Sequence, residues 1–330
     1  MLTEIIQSDP ALQALQAAWQ ALSAVVPQST GFFASRDFVW QYTRAIQPKG
    51  WFVVTIRDPD TRKLVAVFAW ERVNLHTATH AYRAVQPMGA SLGSYIEPPI
   101  APRCLRPAMQ ALFNTALPAA GADLVCFWPL HETSPLYNAL NEDLRGSGTL
   151  KTFRYPDNLR EIETRGLDYA LYCSSRPGAT IPDARYGERR LNREGTLHFT
   201  LCEPGPEAVE IVQRLCTATV ERFGAQFAYR AQPEWKTLVV GLVRALATCG
   251  TAQVSTLRFN GAIIASGLSF WHKGRRFFYL THYDPAYARY SPGKILLYRL
   301  IEQTFADRGC AVSALARIAT RMIGRRAVAS

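Results

Sequence analysis

Apolar residues recur at helical spacing near the N-terminus, where Leu12, Leu15, Trp19, Leu22 and Val26 share one face and predict a helix that Pro27 ends. Two strand-like runs follow, Trp51 to Arg57 and Lys63 to Val73, joined by the turn Asp58-Pro59-Asp60 into a hairpin. Proline and glycine punctuate 86–107, a loop leading into a helix over 105–117, and Ala122 to Trp128 reads as a buried strand. Residues 141–185 are polar and weakly periodic, marking a passage between halves placed at 1–150 and 151–330.

The second half repeats that order more clearly. Val209, Val212, Leu215, Cys216, Thr219 and Phe223 lie on one helical face, and Trp235, Leu238, Val239, Leu242, Val243 and Leu246 on another. Ala252 to Phe259 and Ala262 to Trp271 then flank Asn260-Gly261, a pair that accepts the positive φ values of a type I′ hairpin turn. Lys273-Gly274 turns the chain into a third antiparallel strand, Arg276 to Tyr283. A helix with Leu296, Leu297, Leu300, Ile301 and Phe305 inward and a short strand from Cys310 complete the pattern. Hairpin, helix and strand in both halves suggest two related α/β domains, although no residue-level repeat is visible.

Between Tyr283 and Gly309 the turn Tyr283-Asp284-Pro285 precedes Tyr290-Ser291-Pro292-Gly293-Lys294 at the opening of that helix. Glycine at a helix start leaves backbone N–H groups uncrowded, the helix dipole adds partial positive charge, and Lys294 adds a full one, a combination suited to phosphate or pyrophosphate. Pro292 fits the first turn because its φ is already helical and its missing N–H would have had no helical partner. An ordinary helix start would read the same way locally.

The wider segment is more specific. Arg289-Tyr290-Ser291-Pro292-Gly293-Lys294-Ile295-Leu296-Leu297, together with Arg189-Arg190-Leu191-Asn192-Arg193-Glu194-Gly195 and the strand pair around Asn260-Gly261, resembles the GNAT-like acyltransferases related to the CelD cellulose-biosynthesis proteins. These are close to the FemAB-type transferases, and the resemblance spans most of the chain. It implies two tandem GNAT-like α/β domains with mixed, largely antiparallel sheets flanked by helices. It also implies acetyl-CoA or another acyl-CoA as donor, its pyrophosphate on Tyr290, Ser291, Pro292, Gly293 and Lys294, and an amine or hydroxyl on a small-molecule or saccharide acceptor in exopolysaccharide, cellulose or cell-envelope biosynthesis. Two other readings stay open: a catalytically inactive binding module of a polysaccharide-synthesis system, and a FemAB-like transferase drawing on aminoacyl-tRNA.

A chain of 330 residues, 48% hydrophobic and 19% charged, suits two domains of ordinary size. No apolar run reaches the roughly 18 residues of a membrane span and the N-terminus lacks a signal-peptide pattern, so a cytoplasmic location is expected. Seven scattered cysteines, with no C-x-x-C pair, fit neither a zinc site nor a disulfide framework. Of the net charge of +11, five units come from Arg308, Arg317, Arg321, Arg325 and Arg326 in a tail without acids, so the rest is only modestly basic. Arg185, Arg189, Arg190 and Arg193 line a helix face partly offset by Glu188 and Glu194; this reads as a solvated face, and nucleic acid enters only as tRNA under the alternative.

Gly89-Ala90-Ser91-Leu92-Gly93 matches a nucleophile elbow, but the prolines at 87, 98 and 99 do not suit its strand-turn-helix setting. His76 and His80 lack an H-E-x-x-H helix, so no metal is expected. Transfer needs a base for the nucleophile and a group to receive the leaving thiolate. His282, Tyr283 and Asp284 leave the strand just before the loop; His282 is the first choice of base because imidazole titrates near neutrality, Asp284 otherwise builds the turn, and Tyr290 is placed to donate to the thiolate or to pack. The tail from Ala311 lacks the family's aspartate strand and Tyr-Lys segment. It reads as a frameshift or truncation that leaves the second domain short of its last strands, or as a basic amphipathic helix with Leu315, Ile318 and Met322 on one side.

Overall fold

The computed structural model describes residues 1–26, 31–76, 81–93, 96–131, 133–144, 160–164, 166–175, 180–224, 228–307 and 312–315. In chain order these form β1 (Leu2–Ile6), α1 (Asp9–Ala14), α2 (Gln16–Val25), α3 (Arg36–Ile46), β2 (Phe52–Arg57), β3 (Leu64–His76), β4 (Ala81–Pro87), α4 (Leu105–Ala111), α5 (Leu117–Ala120), β5 (Leu124–Val125) and α6 (Pro135–Leu144). There follow β6 (Arg160–Glu163), α7 (Tyr169–Ser174), α8 (Thr180–Glu194), β7 (Leu197–Leu201), α9 (Pro206–Phe223), α10 (Pro233–Leu246), β8 (Ala252–Phe259), β9 (Ala262–His272), β10 (Arg275–Tyr283), α11 (Pro292–Ala306) and β11 (Val312–Leu315).

The chain divides into two compact units, Met1–Arg154 with Arg222–Ala245, and Tyr155–Glu221 with Leu246–Ser330. Most of α10, read from the sequence with the second half, thus belongs to the first unit. That unit holds the sheet β1-β2-β3-β4-β5, antiparallel except for the parallel pair β4–β5. Its core packs Phe52, Val54, Ile56, Phe68 and Trp70 against Ala108, Leu112 and Leu117. The buried strand expected over Ala122–Trp128 shrinks to Leu124–Val125, whose leucine is exposed. The strand β4 ends at Pro87, so a strand does precede the Gly89–Gly93 turn, but the helix an elbow requires does not follow it.

The second unit holds the sheet β6-β11-β10-β9-β8-β7, again antiparallel apart from one parallel pair, β10–β11. The Asn260-Gly261 turn takes the expected left-handed backbone, with φ of 49° and 86°, and Lys273 and Gly274 do likewise at 50° and 72°. Leucine and isoleucine at helical spacing put Ile295, Leu296, Leu297, Leu300 and Ile301 of α11 in the core. They meet Leu257, Ala265 and Phe278 of the sheet and Ala184 and Leu191 of α8, each buried side chain contributing about 1.5–3 kcal/mol. Thus α8 and α11 cover one face of this sheet. Leu315 lies in β11 and not in a tail helix; the frameshift, truncation and helix readings of the remaining tail fall outside the described residues.

Candidate functional site

Three backbone features converge where β10 gives way to α11. First, among the described residues β10 pairs with β11 over Arg275–Phe277, while its pairing with β9 continues to Tyr283. Second, that pairing with β9 shifts register between Phe278 and Leu280, where Tyr279 is the extra residue of a β-bulge. Beyond the bulge, β10 has no ladder partner on its other edge among the described residues. Third, the chain leaves β10 through a short 3₁₀ turn, Pro285–Tyr290, and enters α11 at Pro292.

The helix start follows from its residues. Ser291 takes a left-handed backbone (φ 53°, ψ 49°), which swings the chain sharply into the helix. Pro292 has no N–H, and the N–H groups of Lys294 and Ile295 both donate to the Ser291 carbonyl, at 2.9 and 3.2 Å. Helical geometry leaves the Gly293 N–H pointing off the end, at the positive pole of the dipole. A Cβ on Gly293 would stand only 3.3 Å from Tyr283 Cδ1, so the absence of a side chain keeps this mouth open. A diphosphate fits such a cradle.

The predicted residues meet here, in different roles. His282 is half-buried on β10, across from Ser266 of β9, with its ring stacked on Tyr283 at 6.3 Å. The Asp284 carboxylate accepts from the Ala286 N–H at 2.9 Å and caps the 3₁₀ turn, as its turn-building reading requires. Tyr290 is buried, its hydroxyl donating to Glu194 and accepting from Arg289. Lys294 Nζ lies 2.9 Å from the Asp183 carboxylate in a surface pair. Such a pair is worth about 0–1 kcal/mol, so an incoming phosphate would compete for the ammonium readily.

What sequence reasoning missed is the brace beneath this loop. Asp183, Gly187, Arg190 and Glu194 recur every three to four residues on one face of α8 and all touch 289–294. Gly187 comes so close that a Cβ there would lie 2.1 Å from the Tyr290 carbonyl oxygen. The spacing was visible in the sequence; its partners, about a hundred residues away, were not. A separate cleft of about 340 Å³ lies between Glu188 of α8, β7, β8 and the C-terminal half of α11. Its one guanidinium, Arg299, is held by both Glu188 and Glu302.

Residues 180–320 match the family described as the acetyltransferase (GNAT) domain. That stretch includes the Ser-Pro-Gly-Lys segment, so this part of the chain is similar to a GNAT domain, and the fold is GNAT-like. No curated protein sequence matches it. Among solved structures, the fold resembles that of FemX, with a TM-score of 0.60 at 8% identity, over 95% of this chain and 88% of that one. It also resembles a C-terminal domain from Agrobacterium fabrum assigned as a lysylphosphatidylglycerol synthetase, with a TM-score of 0.51 at 15% identity, over 93% of this chain and 78% of that one. For L-PGS from Bacillus licheniformis the TM-score is 0.50 at 12% identity, over 94% and 79%. At these identities the likeness is one of fold. Among the described residues no helix is long and apolar enough to cross a membrane, and no group of three His, Cys, Asp or Glu side chains is placed to hold a metal.

Proposed function

We propose that this chain transfers an acyl group, acetyl in the simplest case, from coenzyme A to an amine or hydroxyl of a small-molecule or saccharide acceptor in cell-envelope or exopolysaccharide metabolism in the cytoplasm. The observation that carries this reading is the bulge at Phe278–Leu280 of β10, followed at the end of the same strand by the helix start at Gly293. An extended thioester arm would run along β10 beyond the bulge while its diphosphate rests on the α11 start, with Lys294 nearby. The donor supplies an activated acyl carbonyl. Backbone N–H groups of β10 near the bulge would polarise that carbonyl, and positioning on this scale contributes more to rate than any single strong base.

His282, three residues past the bulge residue Tyr279, is assigned as the base that takes the proton from the nucleophile. Asp284 and Tyr290 act beneath it, Asp284 by capping the turn and Tyr290 by seating the loop on α8, with the Tyr290 hydroxyl the proposed proton source for the thiolate if Arg289 moves aside. Titration calorimetry with acetyl-CoA tests the donor assignment. Binding is expected in the intact protein and its loss in Gly293→Val, whose branched side chain would fill the helix mouth; no binding by the intact protein would overturn the reading. A second reading, transfer from aminoacyl-tRNA, has the exposed Arg185, Arg189 and Arg193 of α8 in its favour. Under that reading tRNA would bind with an affinity that falls steeply with salt, and acetyl-CoA would not bind.

A further inference from the structure

The cleft between α8 and α11 has the dimensions of a small-molecule site: its volume of about 340 Å³ falls in the range of roughly 300–1,000 Å³ that such sites occupy. The strands give it an apolar lining, Leu197 and Phe199 of β7 and the buried Leu257 of β8, together with the exposed His198. The helices give it a charged one, Glu188 of α8 with Arg299 and Glu302 of α11. In the sheet, β8 stands two strands from β10 and β7 three, which at about 4.8 Å per strand is roughly 10–14 Å across. The cleft is therefore separate from the place on β10 where transfer is assigned.

Its charges do not balance. Arg299 is already answered, with Nε donating to Glu188 Oε1 at 2.8 Å, Nη2 donating to the same oxygen, and Nη1 donating to Glu302 Oε2 at 2.6 Å. The second oxygen of each carboxylate, Glu188 Oε2 and Glu302 Oε1, accepts no hydrogen bond among the described residues. Two carboxylates against one guanidinium leave a negative charge over, and only 20% of the Glu188 side chain is exposed to water. A carboxylate oxygen drawn out of water without a donor is costly, and a ligand bringing both N–H groups and positive charge removes that cost. An anion would meet two carboxylates and a guanidinium whose donors are spent.

We infer that this cleft binds a small organic cation, with an ammonium or amidinium head beside Glu188 and Glu302 and an apolar body on Leu197, Phe199 and Leu257. The site stands apart from the helix-start loop and does not depend on the acyl-CoA reading.

The test titrates three probes of similar shape, phenethylamine, 2-phenylethanol and phenylacetate, into the full chain at fixed ionic strength, following binding by NMR. Phenethylamine is expected to bind about tenfold more tightly than the neutral alcohol, and phenylacetate more weakly than either. Glu188→Gln and Glu302→Gln should each reduce the preference for the amine severalfold while leaving the alcohol unchanged. In the double variant Arg299 loses both partners, so the order should invert and phenylacetate should bind best. Glu210→Gln, on the surface of α9, should keep the full preference. Equal binding of amine and alcohol by the unmodified protein, or no binding of the amine, overturns the site. A preference that survives unchanged in both single variants overturns it too, by placing the amine elsewhere. The comparison of probes in the unmodified protein remains decisive if a variant fails to fold.

Discussion

Gly187 is the position where one atom decides the geometry of the loop. With the Tyr290 carbonyl 2.1 Å from where its Cβ would be, Gly187→Ala cannot be accommodated unless α8 and the loop part. Backbone does not yield cheaply, so this substitution is expected to cost about 2–3 kcal/mol in urea unfolding and to abolish acetyl-CoA binding. An unchanged unfolding midpoint would show that α8 does not press on the loop. The contrast with Gly293 is instructive. Gly293 was legible because its meaning is local, a small residue after Ser291-Pro292 at a helix mouth. Gly187 and Asp183 were not, because their partners Tyr290 and Lys294 lie more than a hundred residues on.

At the scale of elements, the second sheet is tied to the end of α11 by Arg276. This guanidinium is 2% exposed on β10, hydrogen-bonds Gln253 of β8, Ser269 of β9 (3.3 Å) and Asp307 just past α11 (3.0 Å), and lies over Trp271 at 5.0 Å. Arg276→Ala is expected to cost about 3 kcal/mol, since it empties a buried volume and leaves these acceptors without their donor. Arg276→Lys should recover only part of that, because an ammonium cannot span the three partners. Equal unfolding midpoints for wild type and Arg276→Ala would refute the tie. Strong local signals located the hairpins β2–β3 and β8–β9 and the helices α8 to α11 in the sequence. The strands β1, β4, β6 and β7 escaped, being short or mostly polar runs that are strands only because a neighbouring strand supplies hydrogen bonds.

For the molecule as a whole, stability should depend on pH through groups that burial has displaced. His272, at the end of β9, is held down to about 4 by desolvation, with repulsion from Lys273 adding to it. An unfolded chain takes up that proton near pH 6.5 while the folded one does not, so His272 lowers stability as pH falls from about 7 towards 4. Glu71, buried in the first unit and accepting from Tyr42 (2.8 Å) and Gln86 (2.9 Å), is shifted upward by burial. Its sign is opposite: the folded state keeps its proton to higher pH, so acidification favours folding through that group. His272→Gln is therefore expected to flatten the acid side of the stability profile, recovering about 2 kcal/mol of what wild type loses between pH 7 and 5. Urea unfolding at both pH values measures it, and parallel losses in the two proteins would refute the assignment.

Hydrophobic periodicity and turn chemistry, read from the sequence alone, determined that the chain is α/β, that an Asn-Gly hairpin and a Ser-Pro-Gly-Lys helix follow one another, and which residues open that helix. These are near-neighbour properties, governed by φ preferences and by which side chains share a face. Tertiary structure alone decided that β10 pairs with β11 over Arg275–Phe277, that its bulge falls just beyond, that 222–245 joins the first unit, and that Asp183, Gly187, Arg190 and Glu194 converge on Tyr290 and Lys294. Each depends on where distant segments meet in space. A single sequence carries that information only as the summed packing of the whole core, not in any window along the chain.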